Sequence, residues 1–169
     1  APASAWKAHL AGVWSTVPQT QLARDAEETA VSAGLGQIAK WASCAQKIER
    51  ARQLSDLQLH AEVVETLASA GPCSRDEKCE VLYWRGRSLS FLKKRRDAAD
   101  ALAAAVVQCE KTRNIELRVR SKYIAGRNAR RMGDSKQALA YLRRVYREHP
   151  DDTHADDALY QEVSVLFEQ

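Results

Sequence analysis

The four cysteines are the residues of this chain that point most directly to a chemistry. They are Cys44, Cys73, Cys79 and Cys109. The spacing between Cys73 and Cys79 is poor for zinc, and no histidine stands at ligand spacing beside them. An even number of cysteines favours disulfide bonds, and therefore an oxidising compartment such as the periplasm. Reduced thiols in the core of a cytoplasmic protein are the other interpretation of the same count.

The positions of the cysteines along the predicted helices indicate how they pair. A turn predicted at Arg95–Arg96 leaves Cys79 about 16 residues before it and Cys109 about 14 residues after it. Two antiparallel helices joined by that turn bring both positions to the same level, so Cys79–Cys109 is the favoured disulfide. A Cys73–Cys79 disulfide across the joint between two helices is the competing pairing. Cys44 then pairs with Cys73 or stays a buried free thiol.

The histidines and the acids around them do not predict a metal site. Of the four histidines, only His149 and His154 lie close together, with aspartates between and behind them. These acids have a simpler role, because Asp152 or Thr153 can cap the last helix and acids in a first turn interact favourably with the helix dipole. We therefore expect no metal and no cofactor, and we find no catalytic constellation.

The net charge of +4 hides a strongly basic block. Residues 111–149 hold 12 Lys and Arg against three acids, a net charge of +9, which leaves −5 for the remainder. Such a block can attract polyanions such as nucleic acid, phospholipid or acidic glycan. Near one helix face, Arg120, Arg127, Arg130 and Arg131 form a candidate surface for glycan or another anion. A solvated helix face is the plainer interpretation, and only the charge supports nucleic-acid binding.

The elements that must position these residues are predicted to be helices. Gly and Pro are scarce, at 7 and 4 residues, while helix-favouring residues are abundant. Apolar residues recur every three to four positions and never alternate with a period of two, which predicts no strands. No apolar run approaches the roughly 18 residues of a membrane span. The pattern predicts an all-α protein with about nine helices, over 1–14, 20–32, 37–53, 56–70, 75–94, 97–111, 115–132, 135–148 and from 155 to the end.

Local residues set the predicted ends of these helices. Thr20 and Ser55 are suitable N-caps for the second and fourth helices, and Asp97 is suitable for the sixth. The basic run Lys93–Arg96 suits the C-terminus of the fifth helix, where cations meet the negative end of the helix dipole.

Three predicted helical hairpins follow one another along the chain. In each of the last two, a glycine lies 12 residues before an alanine, as Gly86 before Ala98 and Gly126 before Ala138. Small residues at both places let the two helices of a hairpin approach closely. Such hairpins cannot bury their apolar faces alone, so they stack on one another into a solenoid.

Here the pattern resembles the tetratricopeptide repeat. Gly126, Ala138 and Pro150 stand at the intervals of that repeat's two small positions and its proline, and Gly133–Asp134 stands at its turn. The preceding hairpin has both small positions but no proline, and the first hairpin matches only at Ala61. The alanines of successive hairpins are 37 and 40 residues apart, more than the about 34 residues of a standard repeat. The units are therefore degenerate.

This resemblance implies an architecture for the whole chain. Residues 37–169 are expected to form a right-handed α-α superhelix of tetratricopeptide-like hairpins, and residues 1–36 are expected to be irregular helices packed on it. A helical bundle without repeats is the other interpretation. Because the chain stops within a helical run at Glu168–Gln169, we expect it to be part of a longer protein.

A narrower resemblance lies at the joint before the last helix. The sequence from Pro150 through Asp156, Asp157 and Leu159 resembles the joint in the superhelical domain of bacterial soluble lytic transglycosylases. The segment Cys79–Cys109 resembles the cysteine-bearing versions of that domain, so the resemblance covers about residues 75–169. Similar joints occur in other envelope repeat proteins, such as the Tol–Pal coordinator and outer-membrane assembly lipoproteins. At such a joint, the paired aspartates can bond to the backbone of the preceding hairpin and fix the angle between helices.

The resemblance implies a function without chemistry in this chain. In those enzymes a separate lysozyme-like domain carries the catalytic glutamate in a Glu-Ser motif, and this motif is absent here. The chain is then expected to be a non-catalytic scaffold of a periplasmic peptidoglycan-cleaving enzyme, positioning glycan strands or partner proteins. The alternative is an adaptor that binds proteins of the bacterial cell envelope and has no associated enzyme. The sequence leaves the oligomeric state open.

Overall fold

A computed structural model describes residues 3–168, and the prediction of an all-α fold is confirmed. Within those residues the chain forms ten helices and no strand. In chain order they are α1 Ala3–Thr16, α2 Gln21–Ser32, α3 Ile38–Trp41, α4 Cys44–Asp56, α5 His60–Ala68, α6 Arg75–Phe91, α7 Arg95–Cys109, α8 Ile115–Arg131, α9 Ser135–Glu148 and α10 Ala155–Phe167.

The tenth helix arises because the predicted helix over 37–53 is two helices. Ala42 follows α3 with an extended backbone, at ψ 141°. Ser43 then starts α4 with a reciprocal cap, in which its hydroxyl accepts from the Gln46 backbone N–H and its own N–H donates to the Gln46 side chain. This capping box satisfies two backbone donors that a helix start leaves unpaired, so it favours a new helix at this point.

Three other predicted boundaries are wrong. Ser55 is not an N-cap, because it lies buried in the last turn of α4, and Leu59 precedes α5. The chain reverses after α6 through Lys93, whose φ is 61°, so α7 begins at Arg95 and places Asp97 inside its first turn. The basic run therefore occupies the turn and the start of α7 and not the end of α6. The left-handed conformation of Lys93 places the turn at residues 92–94, before the predicted turn at Arg95–Arg96.

The chain divides into two compact units, and the first ends at Glu77. In this unit α1 packs against α2 and α4, and α4 packs against α5. One of its core clusters is built on the apolar side chains Leu10, Trp14 and Ile38. Residues 3–36 thus share one compact unit with α4 and α5.

The second unit begins at Lys78, within α6. Here α8 packs against both α7 and α9, and α10 packs mainly on α9. The core between these helices includes Val119, Leu142, Val145 and Val165, each at most 1% exposed. The two predicted hairpins α6–α7 and α8–α9 are present in this unit, and α10 follows the second of them.

The small residues of the repeat lie where helices approach most closely. A Cβ atom on Gly126 would lie 2.7 Å from Cγ of Leu142, and one on Gly86 would lie 2.8 Å from Cγ of Leu102. The partner positions Ala98 and Ala138 are fully buried. Each glycine of α6 or α8 therefore receives a leucine from the second helix of its own hairpin.

A buried lysine ties three helices of the second unit together. Lys122 on α8 is fully buried, and its Nζ lies 2.5 Å from Glu110 Oε1 and 2.6 Å from Glu148 Oε2. Arg118 and Arg144 also pair with Glu110. Burial alone would raise the pKa of both glutamates, but hydrogen bonds and charges from the lysine and the arginines outweigh it and lower the pKa of each. We call these five residues the Lys122 network.

Candidate interaction surface

The structure separates the four arginines that the sequence predicted to share one face. Arg120 pairs with Glu116 on its own helix, at 2.9 Å. Arg130 pairs with Glu168, the residue that follows α10, and donates to Gln161 at 2.7 Å. Carboxylates or amides beside these two arginines thus already accept their hydrogen bonds.

Arg127 and Arg131 are placed differently. Neither makes a salt bridge with a carboxylate in the part of the chain that the structure describes. The Arg127 guanidinium lies 5.5 Å from the centre of the Tyr123 ring. Both arginines line a cleft of about 280 Å³ on the second unit, which we call the basic cleft. Its walls are Arg87, Ser90, Phe91, Lys93, Arg95, Ile124, Arg127 and Arg131.

One wall of the basic cleft is a face of α6. Trp84, Arg87 and Phe91 are spaced by three and four residues, so they share that face. The Arg87 guanidinium lies 5.3 Å from the Trp84 ring and 5.1 Å from the Phe91 ring. Cation–π contacts of this kind hold an arginine over an aromatic face. Phe91 itself is 53% exposed, so the cleft has an apolar edge as well as a positive one.

The turn between α6 and α7 supplies the other cations. Lys93 lies in the turn, and the Arg95 guanidinium donates to the backbone carbonyl of Arg131. In return, the amide of the buried Asn128 donates to the backbone carbonyl of Arg95 at 3.0 Å. These two bonds hold the turn against α8 and bring cations from distant parts of the sequence to one place.

The basic cleft brings several positively charged side chains close together. Partial desolvation lowers the pKa of Arg131, and the charges of Arg127, Arg95 and Arg130 lower it further. The charge of Tyr123 opposes this shift. A second depression of about 350 Å³ adjoins the cleft and shares Arg127 and Arg131 with it. An anionic group entering here would meet several cations at once, which strengthens attraction and speeds encounter.

The sequence did not identify three cations of this surface, Arg87, Lys93 and Arg95. The available signal was the basic run Lys93–Arg96, which suited the C-terminus of a helix as well as a turn. Arg87 gave no signal, because it lies 40 residues before Arg127 along the chain. Only the packing of α6 and α7 beside α8 brings them together.

The first unit contains a larger cavity, of about 620 Å³. Its lining has equal numbers of acids and bases, unlike that of the basic cleft. Within residues 3–168, no three His, Cys, Asp or Glu side chains lie together in a way that could hold a metal ion. None of the described helices combines the length and the apolar character needed to cross a membrane.

Comparison with protein families supports the repeat. A family model for the tetratricopeptide repeat matches residues 120–152, which cover most of α8, all of α9 and the joint with Pro150. The match includes Gly126 and Ala138, the two small positions of the hairpin. The chain is a tetratricopeptide-like helical protein. No curated protein and no solved structure matches it.

Both pairs of cysteines of this tetratricopeptide-like protein form disulfides. Cys79 pairs with Cys109, the pairing that the hairpin spacing favours, and both are fully buried. Cys44, the first residue of α4, pairs with Cys73 in the loop before α6. The competing Cys73–Cys79 disulfide does not form. Two disulfides indicate an oxidising, extracytoplasmic compartment, because cytosolic reductants keep such thiols reduced.

The joint before α10 is built by different residues from those the sequence suggested. The N-cap position is His154 and not Asp152 or Thr153, and the Asp152 carboxylate accepts from the His154 backbone N–H at 2.9 Å. Asp156 and Asp157 are exposed, and the Asp157 carboxylate contacts the Tyr123 hydroxyl. Asp157 thus contacts the preceding hairpin through the side chain of Tyr123. Leu159 is 49% exposed.

Proposed function

We propose that this protein is an interaction adaptor of the cell envelope and that the basic cleft is its docking surface for an acidic segment of a partner protein. The observation that carries the proposal concerns Arg127 and Arg131. Neither makes a salt bridge with a carboxylate within residues 3–168, and both lie in the cleft beside further basic side chains and the exposed ring of Phe91. The tetratricopeptide repeat supports protein partners, since stacked helical hairpins serve as binding surfaces. The disulfides support an extracytoplasmic location, which we propose to be the periplasm.

A protein partner fits the cleft better than a nucleic acid does. Much of the basic block is neutralised within the fold: Arg118, Lys122 and Arg144 pair with Glu110 or Glu148, and Arg143 pairs with Glu162. The remaining positive surface is compact, whereas nucleic-acid binding relies on many phosphate contacts along a duplex or strand. Arginine beside an exposed aromatic ring is typical of protein interfaces.

Site-specific photocrosslinking in the periplasm tests this proposal. A photoreactive residue at Ser90, which lines the cleft, should capture a defined protein, while one at Ala140, exposed on α9, should not. The captured protein is identified by mass spectrometry, purified and titrated with the adaptor. We expect the pair Arg127→Gln and Arg131→Gln to weaken that binding about threefold to tenfold.

The matched control is the pair Arg113→Gln and Arg120→Gln, which removes the same charge outside the cleft. It should change the affinity by less than about twofold. Equal crosslinking from Ser90 and from Ala140, or an equal loss of affinity in both pairs of arginine variants, would refute docking at the cleft. Absence of any captured protein would refute the adaptor function.

A second candidate function is a scaffold in a peptidoglycan-cleaving lytic transglycosylase. It is favoured by the joint residues Asp156, Asp157 and Leu159 and by the paired cysteines, which resemble that enzyme's superhelical domain. In that case the chain would position glycan strands. Co-sedimentation with purified peptidoglycan tests this second function. We expect the wild-type protein to sediment with peptidoglycan, and the control variant Arg113→Gln and Arg120→Gln to do so equally. A gene sequence that continues past Gln169 into a lysozyme-like domain with a Glu-Ser motif would support this candidate, and a soluble chain that never sediments would count against it.

A further inference from the structure

The helix α10 carries an exposed apolar face. Five of its large apolar side chains are 43–88% exposed, and they are Leu159, Tyr160, Val163, Leu166 and Phe167. They are spaced by three and four residues on either side of Val163, so they share one face of the helix. We call this face the α10 stripe. We propose that the α10 stripe is the interface of a symmetric, antiparallel dimer, in which it packs against the same stripe of a second copy of this chain.

The other side of α10 is already packed within the second unit. Ala158 and Val165 are buried there, and the carboxylate of the buried Glu162 accepts a hydrogen bond from the Tyr146 hydroxyl at 2.6 Å. The other exposed large apolar side chains that the structure describes in this unit lie singly on α6, on α7 and at the two ends of α8, and they are Phe91, Val107, Ile115 and Met132. Single exposed apolar residues are ordinary, whereas a contiguous apolar surface marks an interaction site.

The exposed area of the stripe is sufficient for a weak dimer. Since an aromatic side chain has about 200 Å² of accessible surface, the exposed fractions of the five residues correspond to roughly 550 Å² per copy. Two copies would bury about 1,100 Å² in total, and a specific interface needs about 1,000 Å². We therefore expect a dissociation constant of about 1–100 μM.

The order of residues in the stripe favours a second copy as the partner. Leu159 and Tyr160 lie four and three residues before Val163, and Leu166 and Phe167 lie three and four residues after it. In an antiparallel pair with a twofold axis beside Val163, the contacts are reciprocal. Leu159 then contacts Phe167 of the second copy, and Tyr160 contacts Leu166 of the second copy. Each aromatic ring thus packs on a leucine, and the smallest side chain lies at the axis, where the two helices approach most closely.

The charges of α10 favour the antiparallel arrangement over a parallel one. Asp156 and Asp157 precede the stripe, in the first turn of the helix. A parallel pair would place these acids of both copies side by side, and like charges in an interface repel. An antiparallel pair separates them by the length of the stripe and places opposite ends of the two helix dipoles beside each other. Glu168, the acid at the other end of the helix, is already paired with Arg130.

Sedimentation velocity of the full, oxidised chain, from about 1 to about 500 μM, tests the inference. We expect the weight-average mass to rise with concentration from the 18.9 kDa of the monomer towards twice that value. Val163→Glu places two like charges at the twofold axis, so it should weaken the dimer at least about tenfold. The control Val107→Glu makes the same change at an exposed residue of α7 and should leave the dissociation constant within about twofold.

A mixture of two variants tests the twofold axis itself. Val163→Glu and Val163→Lys should each remain monomeric when alone, because residue 163 faces itself across the axis. Mixed in equal amounts, they should form a heterodimer, since the two opposite charges then lie beside each other.

Each outcome supports or overturns the inference. A wild-type protein that remains monomeric at the highest concentration would overturn it, whether or not the α10 stripe binds phospholipid vesicles or a different protein. Equal weakening by Val107→Glu, or a mixture that associates no better than its components, would also overturn it, with circular dichroism showing that the variants are folded. The Arg127→Gln and Arg131→Gln variant should dimerise as the wild type does, because these arginines lie outside the stripe. The adaptor function and the dimer therefore stand or fall separately.

Discussion

Replacing Gly126 by alanine tests the physical basis of the repeat. In a helix interior that substitution normally stabilises a protein by about 0.5–1 kcal/mol, because glycine loses more backbone entropy on folding than alanine does. At Gly126, however, the new Cβ would lie 2.7 Å from Cγ and 2.9 Å from Cδ2 of Leu142. Leu142 is fully buried, so it cannot move aside without disturbing its neighbours.

The magnitude follows from these two opposing effects. Forcing an extra carbon into a packed core costs about 1–3 kcal/mol. After the gain in helix propensity, Gly126→Ala should destabilise the protein by about 0–2.5 kcal/mol. Gly86→Ala should cost more, because its Cβ would lie 3.1 Å from the backbone nitrogen of Leu102, whereas the backbone atom nearest to a Cβ on Gly126, the Ala138 oxygen, lies at an ordinary contact distance of 3.4 Å. A backbone atom yields less readily than a side chain.

Gly12 provides the matched control. It lies in the interior of α1, and a Cβ there would meet no atom within 4 Å. Gly12→Ala should therefore stabilise the protein by about 0.5–1 kcal/mol. Guanidinium unfolding of the oxidised protein, followed by far-ultraviolet circular dichroism, measures the free energy of unfolding of all three variants. If Gly126→Ala stabilised the protein as much as Gly12→Ala does, the close approach of α8 and α9 would be refuted, together with the role assigned to the small residues.

Three further predictions follow. Lys122→Ala should destabilise the protein by about 2–4 kcal/mol in the same unfolding assay, because it opens a cavity and removes the cation that Glu110 and Glu148 share, leaving them only the arginines Arg118 and Arg144. Lys122→Met should cost less, since it keeps most of the volume, and equal costs would contradict this reasoning. Because the pKa values of Glu110 and Glu148 are lowered, these carboxylates stabilise the folded protein fully above the ordinary pKa of 4.5, and this stabilisation is lost as the pH falls below it. The unfolding midpoint should therefore fall more steeply with decreasing pH in the wild type than in Lys122→Met. Parallel curves for the two proteins would contradict this prediction. A small thiol reductant should open the disulfide of half-exposed Cys73 before that of the fully buried Cys79; alkylation and mass spectrometry follow this, and simultaneous reduction would show that burial does not protect the second disulfide.

Most of the fold could be predicted because its signals are local. The periodicity of apolar residues placed α9 over Ser135–Glu148, where the structure has it. Thr20 caps α2 through the Ala23 backbone N–H, as the sequence indicated. Caps and periodicity depend on residues within one or two turns of each other, so they can be recognised without knowing the tertiary structure. The errors at Ser55 and Asp97 concern helix starts, where the structure has Leu59 and Lys94 at the N-cap positions instead.

The candidate surface could be predicted only in part. The sequence identified an excess of positive charge and selected Arg120, Arg127, Arg130 and Arg131. It could not show which of them meet carboxylates, because Glu168 lies 38 residues from Arg130 along the chain. Helical spacing says which side chains share a face, but it does not say what that face packs against.

The sequence by itself determined the helices, the hairpins with Gly86 and Gly126 at their contacts, and the even set of cysteines, because each follows from spacing within a hairpin. The tertiary structure alone decided which charges are neutralised and which converge. Lys122 and Arg130 find acids on neighbouring helices, while Arg127 and Arg131 meet cations from the turn after α6. The physical reason is that electrostatic partners are chosen by distance in space, and only packed helices fix that distance.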